Sequence, residues 1–196
     1  MRLILVRHGE TDWNDKLKLQ SFTNNPLNEK GIRNVEKAAQ VLKTEKINVI
    51  ISSPLLRAKQ TAEIINKYHN QKIDLDERLT ERNFGKLDGM NYLNFSSKLK
   101  EIHENNALEQ YEIERLENVR NRTNEFLKDL FENHFNKTIL VTSHSSALKM
   151  LISIIINEPF GIFSKKKKKN ASISIIEFEE PYKVKSKQIA MDGHLN

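Results

Sequence analysis

The sequence predicts an α/β protein, a three-layer α/β/α sandwich with a mostly parallel central sheet and a helical cap over the site. Three observations carry this prediction. Short continuous apolar runs alternate with segments of helical periodicity along most of the 196 residues. Two of the runs, Leu3 to Val6 and Thr138 to Thr142, are each followed closely by a histidine, His8 and His144. No internal repeat breaks the alternation, which sets solenoids and propellers aside.

Taken in order, Leu3 to Val6 between Arg2 and Arg7 has the pattern of a fully buried strand. It delivers Arg7-His8-Gly9-Glu10-Thr11 at its carboxyl end, where open α/β sheets place ligands. Asn28 to Thr44 carries Ile32, Val35, Ala39 and Leu42 at helical spacing, with Asn28 as N-cap. Ile47 to Ile51 is a second strand ending in Ser52-Ser53-Pro54, and Ala58, Thr61, Ala62 and Ile65 mark the helix after it, with Arg57 in its first turn. Ile73 to Asp76 is a short strand, and Arg78 to Gly89 a turn-rich loop.

Tyr92 to Phe135 reads as mostly helical, broken near Asn105-Asn106, with an amphipathic stretch carrying Ile113, Leu116, Val119, Thr123, Phe126, Leu127 and Leu130. This is the expected cap. After the strand Thr138 to Thr142 comes an apolar helix, Leu148 to Ile156. Ser172 to Phe178 and Tyr182 to Ile189 form a closing hairpin around Glu179-Glu180-Pro181.

Composition narrows the function. Hydrophobic residues make up 38% and charged residues 30%, as in soluble globular domains, and the length suits one domain over residues 1–196. No apolar run approaches the ~20 residues that cross a bilayer, and no secretory pattern follows Met1, so a cytoplasmic protein with no membrane partner is expected. The absence of cysteine excludes disulfides, thiolate metal sites and cysteine-based phosphatase chemistry. A net charge of +6 suits any anionic partner, but the one dense basic run, Lys165 to Lys169, has no interleaved aromatics to stack on bases. It reads as a solvated loop, and no nucleic-acid partner is expected. His69, His103 and His134 lack ligand partners at metal-site spacing and read as structural, while His194 reads as exposed near the end of the chain.

A strand-end histidine flanked by arginine and glycine is well placed to meet a phosphoryl group. Neutral imidazole is a competent nucleophile, Gly9 permits close backbone approach, and the planar donor fork of Arg7 matches phosphate oxygens. Taken singly, His8 or His144 is more often a hydrogen-bonded core histidine, Arg57 an exposed helix residue and Glu81 a surface carboxylate. Their order along the chain raises them above that reading.

Arg7-His8-Gly9-Glu10-Thr11 with Asn14 resembles the signature of the histidine phosphatase superfamily, the phosphoglycerate mutase-like family, in its small bacterial-type phosphatase branch. Three further segments resemble that family in order: Ser53-Pro54-Leu55-Leu56-Arg57-Ala58-Lys59-Gln60-Thr61-Ala62, Leu79-Thr80-Glu81-Arg82-Asn83-Phe84-Gly85 and Thr142-Ser143-His144. The resemblance runs from Met1 to about Phe178. It implies that His8 attacks phosphorus, that Glu81 protonates the leaving oxygen, and that Arg7, Arg57 and His144 form the phosphate pocket. It adds Thr11, Asn14, Gln20, Ser21 and Ser145 as substrate contacts, with no metal and no cofactor. A small phosphorylated substrate and an acid-shifted activity profile are then expected.

Departures from the family pattern lie at Ser21 and Ser145, where glycine is usual, and at Asn24, near where aspartate is common. The alternatives are a cofactor-dependent phosphoglycerate mutase and a non-catalytic member that binds a phosphorylated ligand; mutases of this family resemble longer chains with an adjacent arginine pair, whereas Arg115, Arg120 and Arg122 stand apart here, and retention of His8, Arg7, Arg57, Glu81 and His144 argues for catalysis, so hydrolysis is favoured. Pattern alone leaves monomer and homodimer open.

Overall fold

The computed structural model describes residues 1–160 and 169–195. Its elements are β1 (Arg2–Arg7), a single helical turn α1 (Asp12–Asp15), α2 (Glu29–Leu42), β2 (Val49–Ser52), α3 (Leu56–Asn66), β3 (Ile73–Leu75), α4 (Tyr92–Glu104), α5 (Leu116–His134), β4 (Thr138–Ser143), α6 (Ser145–Ile155), β5 (Ile173–Glu180) and β6 (Lys183–Met191). The sheet order is β3-β2-β4-β1-β5-β6. β3, β2, β4 and β1 are parallel neighbours, while β5 and β6 add an antiparallel hairpin at one edge.

The strand period of two divides the apolar runs between two faces. Leu3, Leu5, Ile51, Ile139 and Val141 pack against Phe126, Leu127 and Leu130 of α5 and Leu148, Leu151 and Ile155 of α6. Ile4, Val6, Ile50 and Leu140 point the other way, onto Val35, Ala38, Ala39 and Leu42 of α2 and Ala62 and Ile65 of α3. Burying one such side chain stabilises the fold by about 1.5–3 kcal/mol, so the two faces together hold the sandwich. A third, smaller cluster of Leu19, Phe84, Leu87, Ile102, Leu108 and Ile113 is the core of the cap, joining α4 to the loops before and after it.

Each expected element is present, with shifts that have physical causes. Ile113 lies before α5 and packs into the cap core, because the helix starts only at Leu116. On α2, Ile32 is exposed and Gly31 and Ala38 are buried in its place, because the helix is held against the loop after β1 by a contact only glycine can make. The last helix begins at Ser145, three residues before the expected Leu148. His194 is partly buried, with Nε2 donating to the Ala171 carbonyl at 3.1 Å.

Of the basic run, Lys165 to Lys168 lie outside the described residues, and Lys169 pairs with Asp192 at 3.2 Å. Among the described residues, no helix is long and apolar enough to cross a membrane.

Candidate active site

Register brings the site together. In the β1–β4 pair Arg7 stands opposite Ser143, and in the β2–β4 pair Ser52 stands opposite Thr142. The ladder continues one residue further, with His8 N–H donating to Ser143 O at 2.9 Å and Ser53 N–H to Thr142 O at 3.0 Å. His8, Ser53 and His144 therefore emerge side by side from three adjacent strands, 45 and more residues apart in sequence. The two imidazole centroids are 5.1 Å apart, tilted by 52°.

His8 is buried, and its Nδ1 lies 2.7 Å from the carbonyl of Gly9. A carbonyl only accepts, so Nδ1 carries the hydrogen and Nε2 the lone pair. Burial, then the charges of Arg57 and Arg7, hold the His8 proton affinity well below the ordinary histidine value, which keeps the ring neutral.

His144 has no solvent exposure, and burial, Arg57 and His8 depress its proton affinity in the same way. Its Nε2 is 2.8 Å from Ser53 Oγ, which also accepts from Leu55 N–H at 3.3 Å. In the tautomer in which Nε2 accepts the Ser53 hydroxyl hydrogen, Nδ1 is the donor. That atom is buried and has no hydrogen-bond partner among the described residues.

Arg57, in the first turn of α3, is fully buried rather than exposed. Nη1 donates to Thr23 O at 2.9 Å and Nη2 to Ser21 O at 2.8 Å, while Nε is buried with no partner among the described residues. Burial lowers its pKa to about 10, against the favourable charges of Glu81 and Asp88. Arg7 is lowered by burial as well, with Glu81 opposing. A buried donor left unsatisfied costs about 1–3 kcal/mol, so a ligand acceptor that reached Arg57 Nε would remove such a cost. An anion among Arg7, Arg57 and the two histidines would satisfy their donors and the excess positive charge together.

The carboxylate whose charge acts on both Arg7 and Arg57 is Glu81, which is buried. Its Oε1 accepts from the backbone N–H of Arg82 and of Ser146, each at 2.9 Å. Ser146 lies in the first turn of α6, whose N-cap residue, His144, makes no side-chain cap, so Glu81 supplies the missing acceptor. Oε1 is thus used twice, and Oε2 has no hydrogen bond among the described residues.

Other sequence-predicted residues are present but engaged with one another. Thr11 and Asn14 form a reciprocal capping box on α1, and Gln20 Nε2 donates to Thr11 Oγ1 at 2.6 Å. Asn14 Oδ1 also accepts from Asn170 Nδ2 at 3.1 Å. Ser21 donates through its backbone N–H to Asp88 at 2.7 Å, and its hydroxyl meets Asn83 Oδ1 at 3.2 Å, tying its loop to the Glu81 loop. Neither Ser21 nor Ser145 is among the residues with positive φ, so both are accommodated without backbone strain. Ser145 is the first residue of α6. Asn24 Oδ1 accepts from Leu56 N–H at 2.7 Å and caps α3, which its own N-cap residue does not.

Gly9 has a different use from the one its position suggests. A Cβ there would come within 2.7 Å of the Val35 side chain and 2.9 Å of Gly31 O, so the glycine lets the loop lie against α2.

Three participants are not evident in the sequence. Asn170 donates to His8 O at 3.0 Å and Gly9 O at 3.3 Å, and Ala171 N–H donates to Arg7 O at 3.1 Å and His8 O at 3.2 Å. Asp88 braces the loop whose carbonyls hold Arg57, accepting from Ser21 N–H and the Thr23 hydroxyl. Arg122 of α5 hydrogen-bonds the backbone around Glu81. Asp88 falls in the turn-rich loop Arg78 to Gly89, but its bracing role has no local signal. Asn170 and Arg122 act over separations that no local pattern records.

Comparison with known proteins agrees with this geometry. The sequence pattern of the histidine phosphatase superfamily (branch 1) matches residues 3–188. The chain is 34% identical over 195 residues to PhoE of Bacillus subtilis, named an uncharacterised phosphatase, covering 98% of this chain and 95% of that one. It is 31% identical over 185 residues to phosphoserine phosphatase 1 of Hydrogenobacter thermophilus, covering 92% and 88%. The solved structure of YhfR from Bacillus stearothermophilus superposes with a TM-score of 0.86 at 26% identity, covering 100% of this chain and 99% of that one. With its sequence pattern, its fold and its paired strand-end histidines in agreement, the chain belongs to the histidine phosphatase superfamily.

Proposed function

We propose that this protein is a phosphomonoesterase that hydrolyses a small phosphorylated metabolite through a phosphohistidine on His8, with Glu81 as general acid and residues 1–196 acting as one catalytic domain. The observation that carries the reading is the hydrogen bond from His8 Nδ1 to Gly9 O at 2.7 Å, which leaves Nε2 as the lone pair, in a ring that burial and two arginines keep neutral.

In the first step Nε2 attacks phosphorus and the bond to the ester oxygen breaks. Glu81 Oε2 gives its proton to that leaving oxygen. In the second step the Glu81 carboxylate takes a proton from water, the water oxygen attacks phosphorus, the P–N bond breaks, and inorganic phosphate leaves. Arg7, Arg57 and His144 bind the non-bridging oxygens throughout, where their charge and donors stabilise the spread negative charge of the transferring group.

Hydrolysis rather than phosphoryl return to substrate is supported by where the remaining arginines go. Arg122 is occupied by Glu114 and backbone carbonyls, Arg115 pairs with Glu109 at 2.9 Å, and Arg120 is exposed. Among the described residues, these three arginines form no adjacent pair that could hold a second phosphate.

The test is turnover of an aryl phosphate by wild type and His8→Ala, with a chelator present, combined with trapping of labelled enzyme by an alkaline, detergent-denaturing quench. Wild-type turnover, an acid-labile and base-stable phosphoenzyme, and loss of both in the variant are expected. Full activity in His8→Ala would refute the phosphohistidine route.

A further inference from the structure

The loop carrying Glu81 has only short 3-10 turns on either side, Glu77–Leu79 and Gly85–Leu87, so apart from the bonds that the carboxyl takes from Arg82 and Ser146 N–H, its backbone depends on support from neighbouring elements. Arg122, on α5, holds it from outside. Nη1 donates to the carbonyls of Arg78 at 2.6 Å and Thr80 at 2.8 Å, and Nη2 to that of Glu81 itself at 3.3 Å. Nε and Nη2 also donate to the two carboxylate oxygens of Glu114, at 2.9 and 3.2 Å. Every N–H of the guanidinium is used.

Glu114 completes the clasp. Its Oε2 accepts from Asn83 N–H at 3.0 Å, its own N–H donates to Asn83 O at 2.9 Å, and its carbonyl accepts from Arg82 Nε at 2.8 Å. The side chains of the pair are only 16% and 15% exposed. A largely buried ion pair is a poor source of stability, and apolar packing would serve a loop as well. What the pair supplies instead is direction: a planar fork with fixed donors defines three carbonyls of one loop at once, which a flexible ammonium cannot do.

We infer that Arg122 and Glu114 are positioning residues, holding the Glu81 carboxyl where proton transfer to the leaving oxygen needs it. The inference rests on the general-acid reading of Glu81. Neither residue is assigned a contact with phosphate; the Arg122 charge also helps to depress the proton affinity of His144, and Arg122→Lys keeps that charge.

A general acid matters for a poor leaving group and little for a good one, and that difference provides the assay. Wild type, Arg122→Lys, Glu114→Gln and Glu81→Gln are compared on 2,4-dinitrophenyl phosphate and on an alkyl ester such as O-phosphoserine or glycerol phosphate, with vanadate inhibition as the check on the phosphate pocket. Displacing a reacting group by ~1 Å costs about 10²-fold, so Arg122→Lys should lose about that on the alkyl ester and less than ~3-fold on the dinitrophenyl ester. Vanadate inhibition should stay within ~2-fold of wild type, because the pocket arginines and histidines are untouched. Equal losses on both esters, or none, would overturn the positioning role. Where Arg122→Lys does not fold, Glu114→Gln, which keeps the side-chain shape, is judged by the same criteria. If Glu81→Gln is selective for the alkyl ester and the clasp variants are not, the clasp reading alone fails. If Glu81→Gln is not selective, the general-acid reading fails and the inference falls with it.

Discussion

Gly31→Ala tests how the nucleophile loop is held. Gly31 lies in the first turn of α2, where its N–H donates to the Asn28 cap at 2.7 Å. A Cβ at this position would stand 2.1 Å from Glu10 O and 2.7 Å from Glu10 N, both backbone atoms that cannot rotate away. A carbon and a carbonyl oxygen rest at about 3.3 Å, so the loop or the helix must shift by roughly 1 Å. Two effects oppose each other. Alanine in place of glycine favours a helix by up to ~1 kcal/mol, whereas overpacking of this kind costs about 1–3 kcal/mol. The clash should win, because the obstacle is backbone on one side and the buried face of α2 on the other. A net loss of about 1 kcal/mol follows, and a shift of ~1 Å beside His8 should cut kcat by about 10²-fold. The assays are thermal unfolding and steady-state turnover, with Gly193→Ala as control, since nothing lies within 4 Å of a Cβ there. A rise in Tm with unchanged kcat would refute the argument that helix and loop are packed to contact.

Two further outcomes follow from the site. His8 and His144 have native proton affinities held well below the unfolded value, so below about pH 6.5 the unfolded chain binds protons that the native site refuses, and stability falls as pH falls. Each histidine can contribute at most about 1.4 kcal/mol per pH unit to that slope, and a denaturation series from pH 7.5 to ~5 should show it reduced in His144→Gln; an identical slope in the variant would contradict the assignment. Asn170→Ala removes donors to His8 O, Gly9 O and Asn14 Oδ1, next to Ala171, which holds φ at 58° with its N–H on the same loop. At about 0.5–1.5 kcal/mol for each net hydrogen bond, kcat should drop ~10-fold with KM little changed; a pure KM effect would instead make Asn170 a substrate contact.

Legibility in the sequence followed the range of the interaction. Apolar runs and helical periodicity come from contacts a few residues apart, and the strands, the five long helices beside or above the sheet, and the hairpin were all readable from them. Where periodicity failed, a tertiary contact had overridden it. Ile113 fits the helical stripe of α5 but is claimed by the cap core, and Ile32 fits the stripe of α2 but is turned out by the close approach at Gly31. Arg57 shows the limit from the other side. By residue type it belongs on a helix surface, and only the order of motifs argued otherwise; in the fold it is fully buried, held by carbonyls of the loop at Ser21 and Thr23.

The sequence by itself determined that two strands deliver histidines, that arginine flanks the first, and that a carboxylate sits in a turn-rich loop, because side-chain chemistry and local period belong to short stretches of chain. Tertiary structure alone decided which of these meet and in what protonation state. The parallel register of β1, β4 and β2 sets His8 against His144 and Ser53, burial and neighbouring guanidinium charge keep both rings neutral, and a clasp from α5 holds the Glu81 loop. Register, burial and electrostatic environment are properties of the packed molecule, since each depends on atoms contributed by segments far apart in the chain.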